Sequence, residues 1–469
     1  MMLLDDAWLA RLLLQRGLAA IYLLAFLSAL NQFPALLGDR GLLPVRDFLR
    51  HARFRDAPTL FHWRYSDALL RVVASLGIAL SAIALLGVSQ SAAVWLAMWT
   101  LYLSIVNVGQ NFYSFGWESM LCEAGFFAAF LGEADVAPSA IVIYIFRWML
   151  FRVEFGAGLI KLRHDECWRN LTCLYWHYET QPLPNPTSWF FHRMPKPLHK
   201  FSVLFSHFVQ VIVPFFIFAP QPIATIAAAL CIFHQCWLIV SGNYAFLNWL
   251  TVVIAFSGIG ATPHALAPRS TFYDIVLYAL AAVTLVLSIK PALNLVSRHQ
   301  LMNYSWNRYH LVNAYGAFGS VTKERFEIVI EGSDDGIEWK EYGFRAKPGD
   351  VTRMPPQVAP YHLRLDWLMW FLPFSVMVAR NRVVVPGYEM WFVRFVEKLL
   401  EGDAQMLRLL RRNPFPDAPP RFIRAGFDRY EYTTWRELRA TKAWWKRTRI
   451  GEYLPAVALE DLRAALRAA

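Results

Sequence analysis

The sequence predicts a helical membrane bundle of about eight or nine spans, followed by a water-facing, β-rich, sandwich-like domain. Three observations lead to this fold class. Charged residues make up only 17% of the 469 residues, where about 25% is usual for soluble domains, and apolar types reach 56%. Two stretches, 72–117 and 201–268, contain no Asp, Glu, Lys or Arg. After Pro291, short alternating segments replace the apolar runs.

The predicted spans follow from the length of the apolar runs, since a helix needs about 20 residues to cross the hydrocarbon core. The first charge-free run holds two spans, divided at residues 89–91. The second run holds three, and residues 17–37, 137–160 and 271–289 supply three more. Residues 120–132 are too short to cross alone and are interpreted as a polar-flanked or re-entrant helix. Arginines flank the first span on both sides, so the positive-inside rule leaves the orientation open.

Residues 1–300 are therefore assigned to the membrane domain and residues 301–469 to the β-rich domain. Phe326, Ile328 and Ile330 share one face of a predicted strand, which indicates that they belong to the core of that domain. The Asp-Gly pair that ends residues 333–336 favours a tight hairpin, with the next strand resuming at residues 337–339. Residues 422–432 predict a further strand.

Two aromatic-rich segments, 365–374 and 390–400, lie between these strands. They suit helices that lie on the membrane surface or under the domain. An ordinary aromatic core explains them equally well. Basic residues of the C-terminal region favour an anionic lipid surface over nucleic acid, because no nucleic-acid-binding motif accompanies them: Arg408, Arg411, Arg412, Lys442, Lys446, Arg447 and Arg449.

Several long motifs carry a family resemblance. WESMLCEAGF at residues 117–126 and HYETQPLP at residues 177–184 resemble signatures of the lipase maturation factor family. NAYG at 313–316, EGSDDG at 331–336, RLDW at 364–367, WWKR at 444–447 and GEYLP at 451–455 follow in the family's order. The resemblance extends from about residue 15 to about residue 459.

The resemblance implies a function and a location. Animal members are endoplasmic reticulum membrane proteins that dimeric secreted lipases require to become active, and their membrane region is distantly similar to vitamin K-dependent γ-carboxylases. An Ala/Arg-rich composition and a short N-terminus favour a bacterial member, in the inner membrane. Within the matching motifs or directly after them, the client-binding candidates are His177, Tyr178, Glu179, Gln181, Trp339, Asp366 and Trp367.

Charged residues inside the predicted spans are further candidates, because burying a charge in a membrane is costly without a partner or a task. One stripe along the fifth span is formed by residues seven apart, Arg147, Glu154 and Lys161, with Arg152 on the opposite side. Glu118 and Glu123 are the expected counter-charges. Two interpretations stay open: an ion-pair network that holds the bundle together, or a polar cavity where a carboxylate binds or protonates a substrate.

The polar, proline-rich loop at residues 162–200 is the longest insertion between spans, and such loops tend to carry function. Its histidines lack the short spacing of a metal site, so no metal is expected. His207 and His234, inside spans, are predicted to form hydrogen bonds between helices. Cys167 and Cys173 could form a disulfide if the loop faces an oxidising compartment. Nucleotide-binding and serine-hydrolase motifs are absent, and no cofactor is expected.

The sequence leaves two hypotheses for the function. The leading hypothesis is a non-catalytic maturation factor that holds an exported client, a lipase being the first candidate, during folding or assembly beside the bilayer. The alternative is a membrane-embedded enzyme that acts on a lipid-like or peptide substrate. Its candidate catalytic residues are Glu118, Glu123, Arg147, Arg152, Glu154, Lys161, His177 and Glu179.

Overall fold

The computed structural model describes residues 7–262, 266–379 and 382–468. In these ranges, the N-terminal region is a helical bundle interrupted by short helical turns. Its helices are α1 Trp8–Leu37, α2 Val45–His51, α3 Asp67–Leu86, α4 Ala92–Asn107, α5 Gly116–Ala128, α6 Ala140–Arg163, α7 Glu166–Arg169, α8 Leu174–Thr180, α9 Ser188–His192, α10 Lys196–His207, α11 Val213–Phe216, α12 Ile223–Ser241, α13 Leu247–Ala255 and α14 Thr271–Val296.

Helices occupy all eight predicted span positions, but the number of crossings is not confirmed. Five described helices are long and apolar enough to span a membrane: α1, α3, the continuous helix Lys196–Phe216, α12 and α14. Helices α4 and α13 are shorter than a typical span. Helix α6 is long enough, but its buried charges lower its apolar character.

Polar residues and a glycine set the helix ends. The side chains of Ser66 and Ser91 cap α3 and α4 by accepting hydrogen bonds from the backbone of Leu69 and Val94. Gly87 ends α3 with a φ of 77°, a conformation that glycine adopts without strain. The predicted division of the first charge-free run therefore coincides with a helix stop and a helix start.

The C-terminal region contains a four-stranded antiparallel sheet in the order β2-β1-β5-β6 and a two-stranded ribbon of β3 and β4. The strands are β1 Arg325–Ser333, β2 Lys340–Glu341, β3 Met377–Ala379, β4 Arg382–Val384, β5 Phe422–Tyr432 and β6 Trp445–Ala458. The helices are α15 Arg364–Met369, α16 Met390–Leu400, α17 Ala404–Leu407, α18 Trp435–Thr441 and α19 Leu459–Ala468. The predicted strand 422–432 has these same bounds.

The four-stranded sheet is covered mainly by helices and the long loop, and the small β3–β4 ribbon packs on β6, so the described residues do not form a sandwich of two full sheets. Ile328 and Ile330 are fully buried in the main core, as predicted. Phe326 is half-buried, stacks on Phe427 and packs against the same core, as predicted. Val329, on the opposite face, is buried against Trp189 of the long loop. Both faces are thus covered, which alternation alone did not predict.

The hairpin after β1 is wider than predicted. Gly336 has the expected positive φ of 77°, but the strands pair only up to Gly332 and Lys340. Asp335 accepts backbone hydrogen bonds from Ile337 and Glu338, at 2.8 and 2.9 Å, and so holds residues 337–339 in the turn. The prediction that these residues resume the strand is therefore wrong.

The aromatic-rich segments belong to the core and do not lie open on the membrane surface. Trp367 of α15 and Trp391 and Phe392 of α16 are buried in the same apolar core as the membrane helices. Exposed residues lie at the end of the first segment, Phe371 and Phe374, and at the start of the second, Met390. The two regions therefore share one core, and the domain boundary near residue 300 stays a prediction.

Candidate functional site

The signature loop, residues 162–200, folds over the bundle as α7, α8 and α9. Nε2 of His177 lies 2.9 Å from the hydroxyl of Tyr244. That hydroxyl donates its proton to Oε1 of Gln181, so His177 must be the donor of the first bond. Burial lowers the pKa of His177 to about 3 and leaves the ring neutral at neutral pH. This histidine is therefore a fixed hydrogen-bond donor.

Gln181 continues the same chain of hydrogen bonds. Its Nε2 donates to Oγ of Ser188, at 2.8 Å, and to the backbone oxygen of Ser241, at 3.1 Å. Asn243 donates from Nδ2 to the backbone oxygen of Pro184, at 3.0 Å. The HYETQPLP motif thus fixes the loop to the end of α12.

A buried polar cluster lies beneath the loop, and we call it the Glu154 cluster: Glu154, Lys161, Gln210, Gln235 and Asn248. Nε2 of Gln210 and of Gln235 donate to Glu154, at 3.1 and 2.7 Å. Lys161 donates to Oε1 of Gln210 at 2.7 Å, and Asn248 donates to Oε1 of Gln235 at 2.7 Å. Among the described side chains, Glu154 has amide partners and no ion pair, so this carboxylate takes no part in an ion-pair network there.

Two cavities flank the Glu154 cluster. The inner cavity, of about 390 Å³, is lined by Glu154, Lys161, Gln210 and Gln235 together with aromatic rings of the C-terminal region. The lateral cavity, of about 410 Å³, lies between the signature loop, α10 and α12. Lys161 lines both cavities, whereas Glu154 lines only the inner one. A carboxylate and an ammonium group thus line one cavity.

Glu123 and Arg152 form a second buried polar centre. Their side chains make an ion pair, which agrees with the expected role of Glu123 as a counter-charge. Glu123 also accepts hydrogen bonds from the backbone N–H of Asn313 and the hydroxyl of Tyr315, both at 2.8 Å. Nη1 of Arg152 donates to the backbone oxygen of Asn313 at 2.7 Å. The NAYG motif is therefore locked to α5 and α6, and this carboxylate has its acceptor sites filled.

Glu118 has a different partner from the one expected. It forms an ion pair with Arg364 of α15, at 2.6 Å, and accepts a hydrogen bond from Tyr102. Arg364 also donates to the backbone oxygen of Phe112 at 2.7 Å. Burial opposes the charged guanidinium, but the Glu118 carboxylate outweighs it and raises the pKa of Arg364 above its usual value. Glu118 therefore holds the C-terminal region and not the stripe on α6.

The remaining candidates lie apart from the cavities. Arg147 donates from Nε to the backbone oxygen of Ser257 at 2.9 Å. Glu179 accepts a hydrogen bond from the backbone of Tyr432, and burial raises the pKa of Glu179. The structure thus brings Glu154 and Lys161 together at the inner cavity, and His177 lines the lateral cavity with Lys161.

Most client-binding candidates are inside the fold. His177, Tyr178, Gln181, Asp366 and Trp367 are buried, and Glu179 is half-buried. Asp366 accepts hydrogen bonds from the backbone N–H of Ala346 and Lys347, at 2.6 and 3.1 Å. Trp339 is half-buried under the guanidinium of Arg424, 4.1 Å from the ring centre. Direct client contact by these residues stays a prediction, and the contacts described here give the buried ones a structural role.

Sequence reasoning missed Gln210, Gln235 and Arg364. The two glutamines stand inside a charge-free apolar run, where a polar side chain signals a partner within the bundle. His234 does bridge helices as predicted, since its Nε2 lies 3.2 Å from Oγ of Ser206 on α10. Arg364 belongs to the RLDW motif, but the residues near it in the sequence do not indicate Glu118 as its partner.

Cys167 and Cys173 are placed as a disulfide, with their Cα atoms 4.7 Å apart. Asp165 lies beside them but caps α7 by accepting from the backbone N–H of Cys167 at 3.0 Å. We expect neither thiol to react with an impermeant maleimide until reductant is added, because thiols in an oxidising compartment pair. Labelling of intact cells or vesicles, read by mass spectrometry, measures this. The same sample treated with reductant is the control, and rapid labelling of Cys167 without reductant would contradict the pairing.

Comparison with known proteins decides the family. The lipase maturation factor transmembrane domain matches residues 9–264, and the lipase maturation factor C-terminal domain matches residues 311–455. The chain belongs to the lipase maturation factor family. Lipase maturation factor 1 of Bos taurus is 41% identical over 97% of this chain and 90% of its own length. The Homo sapiens protein of that name is 40% identical over 98% and 90%, and lipase maturation factor 2 of Xenopus laevis is 28% identical over 97% and 83%.

The comparisons also bear on location and fold. No solved structure matches the chain. The family and the apolar helices make this lipase maturation factor family member an integral membrane protein. The relatives named here are vertebrate proteins, so they give no support to a bacterial source or to an inner-membrane location.

Proposed function

We propose that this protein assists the folding or assembly of an exported client, with a secreted lipase as the client to test first. The observation that carries the proposal is the 40% identity to human lipase maturation factor 1 over 98% of the chain. Two buried arginines support it by fixing the C-terminal region to the bundle: Arg364 at Glu118, and Arg325 at the signature loop. A folding helper of this kind would present a rigid surface next to the bilayer.

The client surface we propose is a charged groove on the sheet, of about 770 Å³. Its charged lining residues are Glu341, Asp350, Arg412, Arg424, Asp428, Arg447 and Arg449. Arg447 is already paired with Glu341 at 2.7 Å, and Arg424 with Glu331 at 2.8 Å. Among the described side chains, Arg412 makes no ion pair and donates only to the backbone oxygen of Glu341, at 3.1 Å. Arg412 is therefore the cation best placed to meet an acidic group of a client.

Replacing Arg412 with glutamate is expected to lower the active lipase secreted by co-expressing cells by roughly two- to fivefold, the effect of about 0.5–1 kcal/mol of surface ion pairing. Activity in the medium per lipase antigen measures it. The control Arg439→Glu changes an equally exposed charge of the same region, on α18, outside the groove. An equal loss with both variants, or no loss with Arg412→Glu, would contradict client docking in the groove.

A membrane enzyme is the second candidate, and the observation that favours it is that Glu154 and Lys161 line the inner cavity together. In such an enzyme, Glu154 would hold or transfer a proton and Lys161 would stabilise negative charge on a substrate. The same two groups also make hydrogen bonds inside the bundle, Glu154 with Gln210 and Gln235 and Lys161 with Gln210. The two functions therefore differ in what a neutral replacement of Glu154 does.

Glu154→Gln is expected to lower the thermal midpoint in detergent, with a cost of about 1–3 kcal/mol for mispaired buried groups. The new amide NH₂ would face the NH₂ of Gln210 or Gln235, and neither can turn around, because its oxygen already binds Lys161 or Asn248. Differential scanning of the purified full chain measures the midpoint, with Glu133→Gln as an exposed control. Lost client maturation at an unchanged midpoint would favour the enzyme instead.

A further inference from the structure

The lateral cavity is not explained by client docking or by the Glu154 chemistry. It is lined mainly by apolar side chains, including Leu174, Leu198, Phe201, Phe205, Phe233 and Trp237. Its volume of about 410 Å³ falls in the range of small-molecule sites. Such an apolar lining selects a hydrocarbon ligand.

The cavity reaches the outer surface of the bundle between two helices. Leu198 and Phe201 on α10 are 49% and 64% exposed, and Phe233 on α12 is 58% exposed. Both helices belong to the candidate membrane spans. Since these exposed apolar residues also line the cavity, its opening faces the hydrocarbon region of the bilayer. A ligand enters from the lipid and needs no aqueous path.

The opposite end of the cavity is polar. The Lys161 ammonium donates one hydrogen bond, to Gln210, and Glu154, the carboxylate near it, is bound by the two glutamine amides. An ammonium group has three N–H donors, and among the described side chains Lys161 makes no ion pair. His234, which is 3% exposed, leaves its Nδ1 without a hydrogen-bond partner in the described structure. Buried polar groups without partners cost free energy, so this end is complementary to a polar head group.

We propose that the lateral cavity binds a single-chain amphiphile, with its acyl chain between α10 and α12 and its anionic head group at Lys161 and His234. A free fatty acid and a lysophospholipid share this chemistry, one supplying a carboxylate and the other a phosphate. The mainly apolar lining, in which Lys161 is the one Lys or Arg side chain, matches one chain and one charge. The site is separate from the client groove on the sheet.

The test uses the purified full chain in detergent and a palmitate that carries a photoreactive diazirine in its chain. We expect cross-links to peptides of α10 and α12, and their loss when excess palmitate competes. Lysophosphatidylglycerol that competes better than palmitate would assign the phosphate head group as the natural one. Cross-links spread over all lipid-facing helices, with no competition by either amphiphile, would overturn the proposal.

Two variants separate the chain site from the head-group site. Ser202→Trp places an indole at the half-exposed rim of the cavity and should reduce labelling about tenfold, whereas Leu204→Trp, on the lipid-facing side of the same helix, should not. Lys161→Met should weaken palmitate competition about tenfold but leave competition by hexadecanol unchanged, because only the acid needs the cation. If Lys161→Met does not fold, the Ser202 and Leu204 pair decides alone. Equal labelling of those two variants would refute a ligand in the cavity.

Discussion

Replacing Arg364 with methionine is expected to lower the free energy of unfolding by about 3–5 kcal/mol, because it leaves the buried Glu118 carboxylate without its cation. Both side chains are fully buried, and the guanidinium also lies 3.4 Å from the ring centre of Tyr113. The midpoint of thermal unfolding of the full chain in detergent measures the loss. Secretion of active client should fall with it.

The control for this prediction is Arg345→Met, which removes an exposed arginine of the same region. The double variant Glu118→Gln with Arg364→Met should regain part of the stability, because no unpaired charge remains. A midpoint for Arg364→Met equal to that of Arg345→Met would show that the ion pair does not hold the two regions together.

Replacing Arg325 with methionine is the second large effect, with an expected loss of about 2–3 kcal/mol. Arg325 pairs with Glu327 at 2.6 Å, and its guanidinium donates to the backbone oxygens of Glu179, Gln181 and Pro182, at 2.9, 2.5 and 3.0 Å. The variant leaves these buried oxygens without donors. Lys347 still pairs with Glu327 at 2.8 Å, so no lone charge remains and the loss is smaller than for Arg364.

Limited proteolysis distinguishes this second loss from general destabilisation. Without the Arg325 contacts, the signature loop should be cut by trypsin before the membrane helices are, because its backbone has lost its main attachment to the sheet. Arg436→Met, an exposed change on α18, serves as the control. An unchanged cleavage rate within residues 162–200 would mean that other contacts, such as Trp189 to the backbone of Thr433 at 2.9 Å, are sufficient.

The contacts of Arg364 and Arg325 also change what we expect of a chain truncated near residue 297. Membrane helices satisfy their own backbone hydrogen bonds, which suggests that the bundle would be self-sufficient. The structure shows that Glu118, Arg152 and the signature loop take partners from beyond that point, at Arg364, Asn313 and Arg325. Loss of client maturation by the truncated chain would therefore report instability as well as missing docking. Single variants of the full chain are the cleaner test.

Much of the fold could be predicted because it depends on local pattern. The charge-free runs place the helices, and the Ser91 cap follows from a polar break in an apolar run. Alternation places Ile328 and Ile330 correctly. It fails at the second face of the sheet, because that face is covered by a loop more than a hundred residues earlier in the chain.

The candidate site was predictable only where partners are near in sequence. Spacing by seven placed Glu154 and Lys161 on one face of α6, and both do line the inner cavity. The partners of these residues, Gln210 and Gln235, come from other helices that no periodicity can pair with α6. The sequence alone also does not show which of several cations is the partner of a carboxylate. For this reason Glu118 was assigned to the charges of α6 and not to Arg364.

During synthesis, Glu118 is made long before its ion-pair partner Arg364. The two residues are 246 positions apart in the chain. At about 5–20 residues per second, the ribosome needs roughly 12–50 s to deliver the arginine after the glutamate. Throughout that interval, the nascent bundle contains a carboxylate whose cation does not yet exist. Until Arg364 is made, the Glu118 carboxylate must stay hydrated, become protonated or be bound by another protein. A protein that assists folding therefore has an interval during its own synthesis in which it needs assistance.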